Sequence, residues 1–181
     1  RNVQPSAYEG GVDRWEDDNT YYDTFNVLWK RTEKAVDQHF LHQDGPFHGG
    51  KLTVAAKDVI DVIADYDAVL ATGHMSAEEV LALVDYAIGK NHNRIIVTHP
   101  EMQCPNLPID VQITLAKEGC MMEYCAVNCM PMFQSVTSDQ MKDAIDAVGP
   151  ANAIIATDSG QPFSPKTPDM FRIFAQVLHE K

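Results

Sequence analysis

The sequence predicts an α/β fold made of parallel βα repeats, and three observations predict it. Short β-branched apolar runs recur as YDAVLATG, RIIVTH, CMMEYC and NAIIATD. Each is followed by a segment with apolar residues at helical spacing. The runs begin near residues 67, 94, 120 and 153, so the intervals are 27, 26 and 33 residues. That is room for one strand, one crossover helix and two loops, the repeat of a parallel sheet.

Residues 1–50 stand apart from these repeats. They hold eight of the fifteen aromatic residues, both tryptophans (Trp15 and Trp29) and the acidic run EDDN. A long excursion this aromatic is expected to serve as a lid or a subunit contact. Phe25, Leu28, Trp29, Thr32 and Val36 permit one amphipathic helix within it.

The repeats begin with TVAAKDVIDVIA, where Ala56, Val59, Ile60 and Ile63 share one helical face. After the first strand, SAEEVLALVDYAIGK places Val80, Leu83, Val84, Ala87 and Ile88 on one face. Ser76 and Glu79 form a capping box at its start, and Gly89 suits the left-handed position after its end. A loop with Pro105 and Pro108 then leads to a shorter helix around 111–118, closed by Gly119. Thr137 and Gln140 make a second capping box, with Gly149 as the stop. In TPDMFRIFAQVLHEK, Thr167 is the expected cap and Pro168 the first helical residue. Residues 51–181 thus read as one (βα)4 unit, with residues 1–50 part of the same domain.

A formal charge of −12 and a pI near 4.8 argue against a surface that neutralises nucleic-acid phosphates or docks on anionic lipid. The expected partner is a small-molecule substrate. No apolar run reaches the ~20 residues that span a bilayer, and no signal peptide is visible, so the expected location is the cytoplasm. The first residue is Arg1 rather than Met, which leads us to expect a processed or partial polypeptide. Cys104, Cys120, Cys125 and Cys129 lack paired C-x-x-C spacing and read as ordinary thiols of a reducing compartment.

In a parallel α/β sheet the carboxyl ends of the strands converge on one rim, where such folds bind and react. His74, His99, Glu123 and Asp158 lie at or next to those ends. Two imidazoles and carboxylates make a suitable donor set for a divalent metal, zinc first, with manganese or iron as alternatives. We therefore expect His74, His99, Asp158 and Glu123 as ligands and Asp158 as the acceptor of a proton from metal-bound water. The glycine and glutamine after Asp158 are expected to supply donors that keep it ionised. Glu101 and Gln161 are the candidate substrate contacts. Taken singly, each residue also has a plainer reading: a hydrogen-bonded histidine, a solvated glutamate, a turn aspartate. Their recurrence at successive strand ends favours the site. His39, His42, His48, His92 and His179 read as non-catalytic.

Together, VLATGHMSAEEVLALV, RIIVTHPE, MMEYC and VGPANAIIATDSGQP resemble the later half of the metal-dependent amidohydrolase superfamily, and within it an amidohydrolase-related branch. The resemblance covers roughly residues 50–178. It implies strands five to eight of a TIM-like (β/α)8 barrel, with His74, His99, Glu123 and Asp158 on strands five, six, seven and eight. It also implies hydrolysis of an amide, lactone or related bond, with decarboxylation as a neighbouring chemistry. The H-x-H pair that the superfamily carries after strand one is absent. Half a barrel leaves two sheet edges open, so a homo-oligomer or a complementary half-barrel chain is expected. A non-catalytic α/β module that binds a ligand or partner at the same rim is the alternative.

Overall fold

The computed structural model describes residues 12–15, 20–23, 28–30, 39–40, 47–48, 51–131, 133–161 and 164–180. The chain divides into two compact units, Arg1–Ala56 and Lys57–Lys181.

The first unit contains β1 (Val12–Trp15), β2 (Thr20–Asp23), β3 (Leu28–Lys30) and β4 (His39–Phe40), antiparallel in that order. A separate hairpin pairs β5 (Phe47–His48) with β6 (Lys51–Leu52). Leu28 and Trp29 are therefore in a strand, not in the amphipathic helix their spacing permits. Phe25, Thr32 and Val36 lie outside the described residues. The register aligns Trp15, Tyr21, Trp29 and Phe40 across the four strands. Aromatic residues favour such pleated positions, and pairing on both sides of β3 outweighs a weak helical periodicity. His39 is likewise on a strand, and its proposed helical partner His42 lies outside the described residues.

The second unit carries the repeats. Helix α1 (Val54–Asp65) precedes β7 (Leu70–Ala71), α2 (Ala77–Gly89), β8 (Ile95–Thr98), α3 (Ile109–Lys117) and β9 (Met121–Cys125). A 3-10 turn (Ala126–Cys129), α4 (Ser138–Val148), β10 (Ala153–Ala156) and α5 (Thr167–Glu180) complete it. The four strands form one parallel sheet in the order β7-β8-β9-β10. Each strand is laid beside its predecessor, so right-handed crossovers place every intervening helix on the same face. On that face Leu70, Ile95, Val97, Met122 and Tyr124 are buried. On the other, Ile96, Met121 and Glu123 are only partly covered and Ala71 is exposed.

Local signals govern most boundaries. Both capping boxes form: Glu79 N–H donates to Ser76 Oγ while Ser76 N–H donates to Glu79 Oε2, and Thr137 and Gln140 repeat the arrangement. Such a cap contributes about 1 kcal/mol. Gly149 at φ 92 and Gly119 at φ 100 end their helices as expected. Gly89 does not: it is the last helical residue, and Asn91 at φ 62 takes the left-handed position. The first strand starts at Leu70, later than the apolar run implies, because Asp67 at φ 48 closes a turn whose N–H bonds Ala64. On α1 only Ile60 is buried, and Val59, expected on the same face, is 58% exposed. Helix α5 starts at Thr167 itself, with Met170 N–H bonding the Lys166 carbonyl. No helix among the described residues is long and apolar enough to cross a membrane.

Candidate functional site

Strands β7 and β8 are locked together at their carboxyl ends by two threonines. Thr98 N–H donates to Thr72 Oγ1 at 3.1 Å, and Gly73 N–H donates to Thr98 Oγ1 at 3.2 Å. The left-handed Gly73, at φ 63, then turns the chain into His74. His99 follows Thr98 directly and itself adopts φ 33, which a residue with a Cβ tolerates only at a cost of order 1 kcal/mol. The result is contact between the two imidazoles, whose ring centroids are 4.5 Å apart at 58°.

His99 is 1% exposed and neither ring nitrogen has a hydrogen-bond partner among the described residues. Burial drives its imidazole down to about 4, with His74 acting in the same direction. The ring is therefore neutral at neutral pH, with a free lone pair. Asp158 follows β10 at φ 49. A chain of hydroxyls brackets it: Thr157 Oγ1 to Ser159 Oγ at 3.1 Å, and Ser159 Oγ to Thr167 Oγ1 at 2.7 Å. Burial raises the Asp158 carboxyl, and the charge of His74 opposes that rise. Of the donors expected beside the Asp158 carboxylate, the Gln161 amide bonds elsewhere. Gln161 Nε2 donates to the Asp158 backbone carbonyl at 3.1 Å, and Gln161 Oε1 accepts from Ser164, so its amide is spent on the loop.

Glu123 sits in mid-strand, in register with Thr98 and Ile154. Its carboxyl is raised by burial and then by the charge of Asp158. Glu101, in the loop after β8, is 7% exposed with neither oxygen partnered among the described residues, and burial lifts its carboxyl to about 8. Cys125 ties the carboxylates together. Its thiol is pushed up by burial and then by Glu123, Asp158 and Glu101 in turn, so it is no nucleophile. Thus His74 touches His99, its charge is felt at Asp158, that of Asp158 is felt at Glu123, and those of all three carboxylates are felt at Cys125. Among the described residues, however, no three His, Cys, Asp or Glu side chains are grouped so as to hold a metal ion together. The donor types fit a divalent ion, and the two touching imidazoles supply one pair.

Several participants were not singled out from sequence. Thr72 and Thr98 carry a readable signal, the threonine before each histidine ending. Asn128, fully buried with neither amide atom partnered, carries none. A groove of about 490 Å³ lies elsewhere, between α2 and α3, lined by Leu81, Val84, Asp110 and Leu115 among others. It belongs to the helix layer, not to the strand ends.

The titrations predict a pH dependence with a definite sign. Unfolded His99 takes a proton near 6.5 and the folded ring only near 4, so stability falls as pH drops through that window. Folded Glu101 keeps its proton to about 8 and the unfolded group loses it near 4.5, so stability falls as pH rises through that window. Between pH 6.5 and 8 the Glu101 contribution stands alone of the two. Urea melts of metal-free protein should show stability declining over this range, and Glu101→Gln should remove most of the slope. An unchanged slope in Glu101→Gln would exclude this origin.

A family model matches residues 32–123, just over half of the 181. The chain belongs to this family, DUF6282, a family of unknown function. The DUF6282 match takes in Thr72, His74, Thr98, His99 and Glu101 and ends on Glu123, whereas Cys125, Asn128 and Asp158 lie beyond it. No curated protein and no solved structure matches the chain significantly.

Proposed function

We propose that the rim of the second unit is the site of a metal-dependent hydrolase acting on an amide, lactone or related bond of a small molecule, with decarboxylation as a neighbouring chemistry. The observation that carries this reading is the contact of His74 with a buried His99 whose ring nitrogens both lack a partner among the described residues, with the charge of His74 felt at Asp158. A neutral imidazole held on strained, sheet-anchored backbone is preorganised to donate to a metal. His74 and His99 would supply the first two donors to a divalent ion, zinc first, and Asp158 and Glu123 are the carboxylates that would have to close on it. When bound, the ion supplies a polarised substrate carbonyl and a water of lowered pKa. Asp158, its carboxyl raised by burial, takes the proton from the attacking water and returns it to the leaving group. His99 and Cys125 are buried at the floor of the rim, whereas His74 and Asp158 are open to solvent, from which a substrate can reach them.

The sequential strand order and the one-sided helix layer support strands five to eight of a (β/α)8 barrel of the amidohydrolase type. Closure would come from a second copy or a complementary half-barrel chain covering the partly exposed sheet face. The alternative, a non-catalytic binding module, is favoured by the lack of a ready three-donor group among the described residues. Calorimetric titration with zinc and manganese, compared between wild type and His74→Ala and followed by an amide and lactone panel, separates the two. Stoichiometric binding lost in His74→Ala supports the metal site. Identical weak heats for both proteins, with no turnover, would leave only the binding module.

A further inference from the structure

Eight buried polar side-chain atoms lack a hydrogen-bond partner among the described residues, and seven belong to four residues. They are both ring nitrogens of His99, both carboxyl oxygens of Glu101, both amide atoms of Asn128 and the hydroxyl of Ser135. Folded proteins retain few such groups, because each has given up its hydration for nothing in return. These are gathered, not scattered. His99 and Glu101 follow β8, and Asn128 lies in the turn that follows β9. Ser135 N–H donates to the Asn128 carbonyl at 3.0 Å. The charge of Glu101 is felt by Cys125 and Cys129, the two cysteines that flank Asn128 in the chain.

The chemistry of the orphaned atoms selects what would satisfy them. An apolar group would leave all of them unpaired. An anion would face Glu101, Glu123 and Asp158, all of which act on the one Cys125 thiol, and no lysine or arginine among the described residues offsets them there. What fits is a positively charged group with several N–H donors, whose arrival displaces the proton that Glu101 holds in the empty site: two donors for the carboxylate oxygens so formed and one for the Asn128 carbonyl, while Ser135 can adapt as donor or acceptor.

We propose that Glu101, Asn128 and Ser135, in the segments that follow β8 and β9, bind a cationic nitrogen group, an ammonium or guanidinium, carried by the small-molecule substrate. The inference rests on the reading of the rim as a reaction site. It narrows the substrate to a basic compound whose scissile bond lies towards His74 and Asp158 while its charged end is held by Glu101. Binding of the charged end requires no metal, so the two readings can fail separately.

The test uses n-butylammonium and n-butylguanidinium as probes, with butyramide and butyrate as matched controls, all in EDTA, followed by ligand-observed NMR and calorimetry. Wild type should bind at least one cation and neither control. Glu101→Gln, which keeps the shape and removes the charge, should weaken that binding by ~10-fold or more. Asn128→Asp, also isosteric, should strengthen it, an opposite change that mere loss of packing does not produce. No cation binding by wild type would mean that ordered water alone satisfies these atoms, and would overturn the proposal. Butyramide binding as tightly as the cations, or equal cation binding by Glu101→Gln, would also overturn it. Cation binding retained by a protein that takes up no zinc would count against the metal reading alone.

Discussion

Asp158→Asn is expected to lower turnover by ~10²-fold or more while retaining at least part of the metal, whereas His74→Ala and His99→Ala are expected to lose the metal. The difference follows from how each side chain is held. His74 and His99 are brought into contact by the reciprocal Thr72 and Thr98 bonds, and His99 has no competing partner for either nitrogen among the described residues. Removing one ring removes a donor that nothing nearby replaces. Asparagine at 158 keeps an oxygen in the same place, held by the same left-handed backbone and the Ser159–Thr167 hydroxyl pair. It cannot accept the proton. Metal content and rate measured on the same preparations check the assignment. Full activity in Asp158→Asn, or full occupancy in both histidine variants, would refute these roles while leaving the fold untouched.

Tyr124→Ala is expected to cost about 3–5 kcal/mol of stability, a large part of what a domain of this size possesses. Tyr124 is 0% exposed in the middle of the sheet. Its hydroxyl donates to Gln112 Oε1 at 3.1 Å, and Gln112 Nε2 in turn donates to the Leu107 carbonyl at 2.9 Å. One side chain thus joins β9 to α3 and to the loop that carries Glu101. Alanine opens a cavity and also strands Gln112 Oε1, while Gln112 Nε2 keeps its bond to Leu107. Tyr124→Phe keeps the ring and strands only the amide oxygen, for about 1–3 kcal/mol. Urea melts of the two variants should preserve that order. A phenylalanine variant as unstable as the alanine one would show that the hydrogen bond, not the packing, dominates.

Much of the second unit was legible residue by residue. The S-x-x-E and T-x-x-Q boxes start α2 and α4 where they stand in the sequence, and Gly119 and Gly149 adopt the positive φ that their place after a helix suggested. Four apolar runs became four parallel strands. The candidate site was legible only as positions. His74, His99 and Asp158 sit after their strands because strand ends are set by local composition. Gln161 shows the limit: its neighbourhood suggested a donor to the Asp158 carboxylate or a substrate contact, yet its amide bonds backbone and Ser164 instead. In the first unit, Leu28 and Trp29 matched a helical spacing and joined a sheet, because short apolar patterns do not distinguish the two when strand partners are at hand.

The sequence by itself determined the order of strands and helices, their caps and the placing of two histidines and an aspartate at strand ends. These properties are encoded within a few residues, through periodicity, capping hydroxyls and glycine. Only the tertiary structure decided that His74 and His99 touch, that Asp158 and Glu101 hold raised carboxyls, and that Asn128 and Ser135 join them as unpartnered polar groups. Those properties depend on desolvation and on contacts between residues some twenty-five positions apart, such as Thr72 and Thr98. Burial there is created by the packing of neighbouring strands and helices, and no local pattern around a single residue records it.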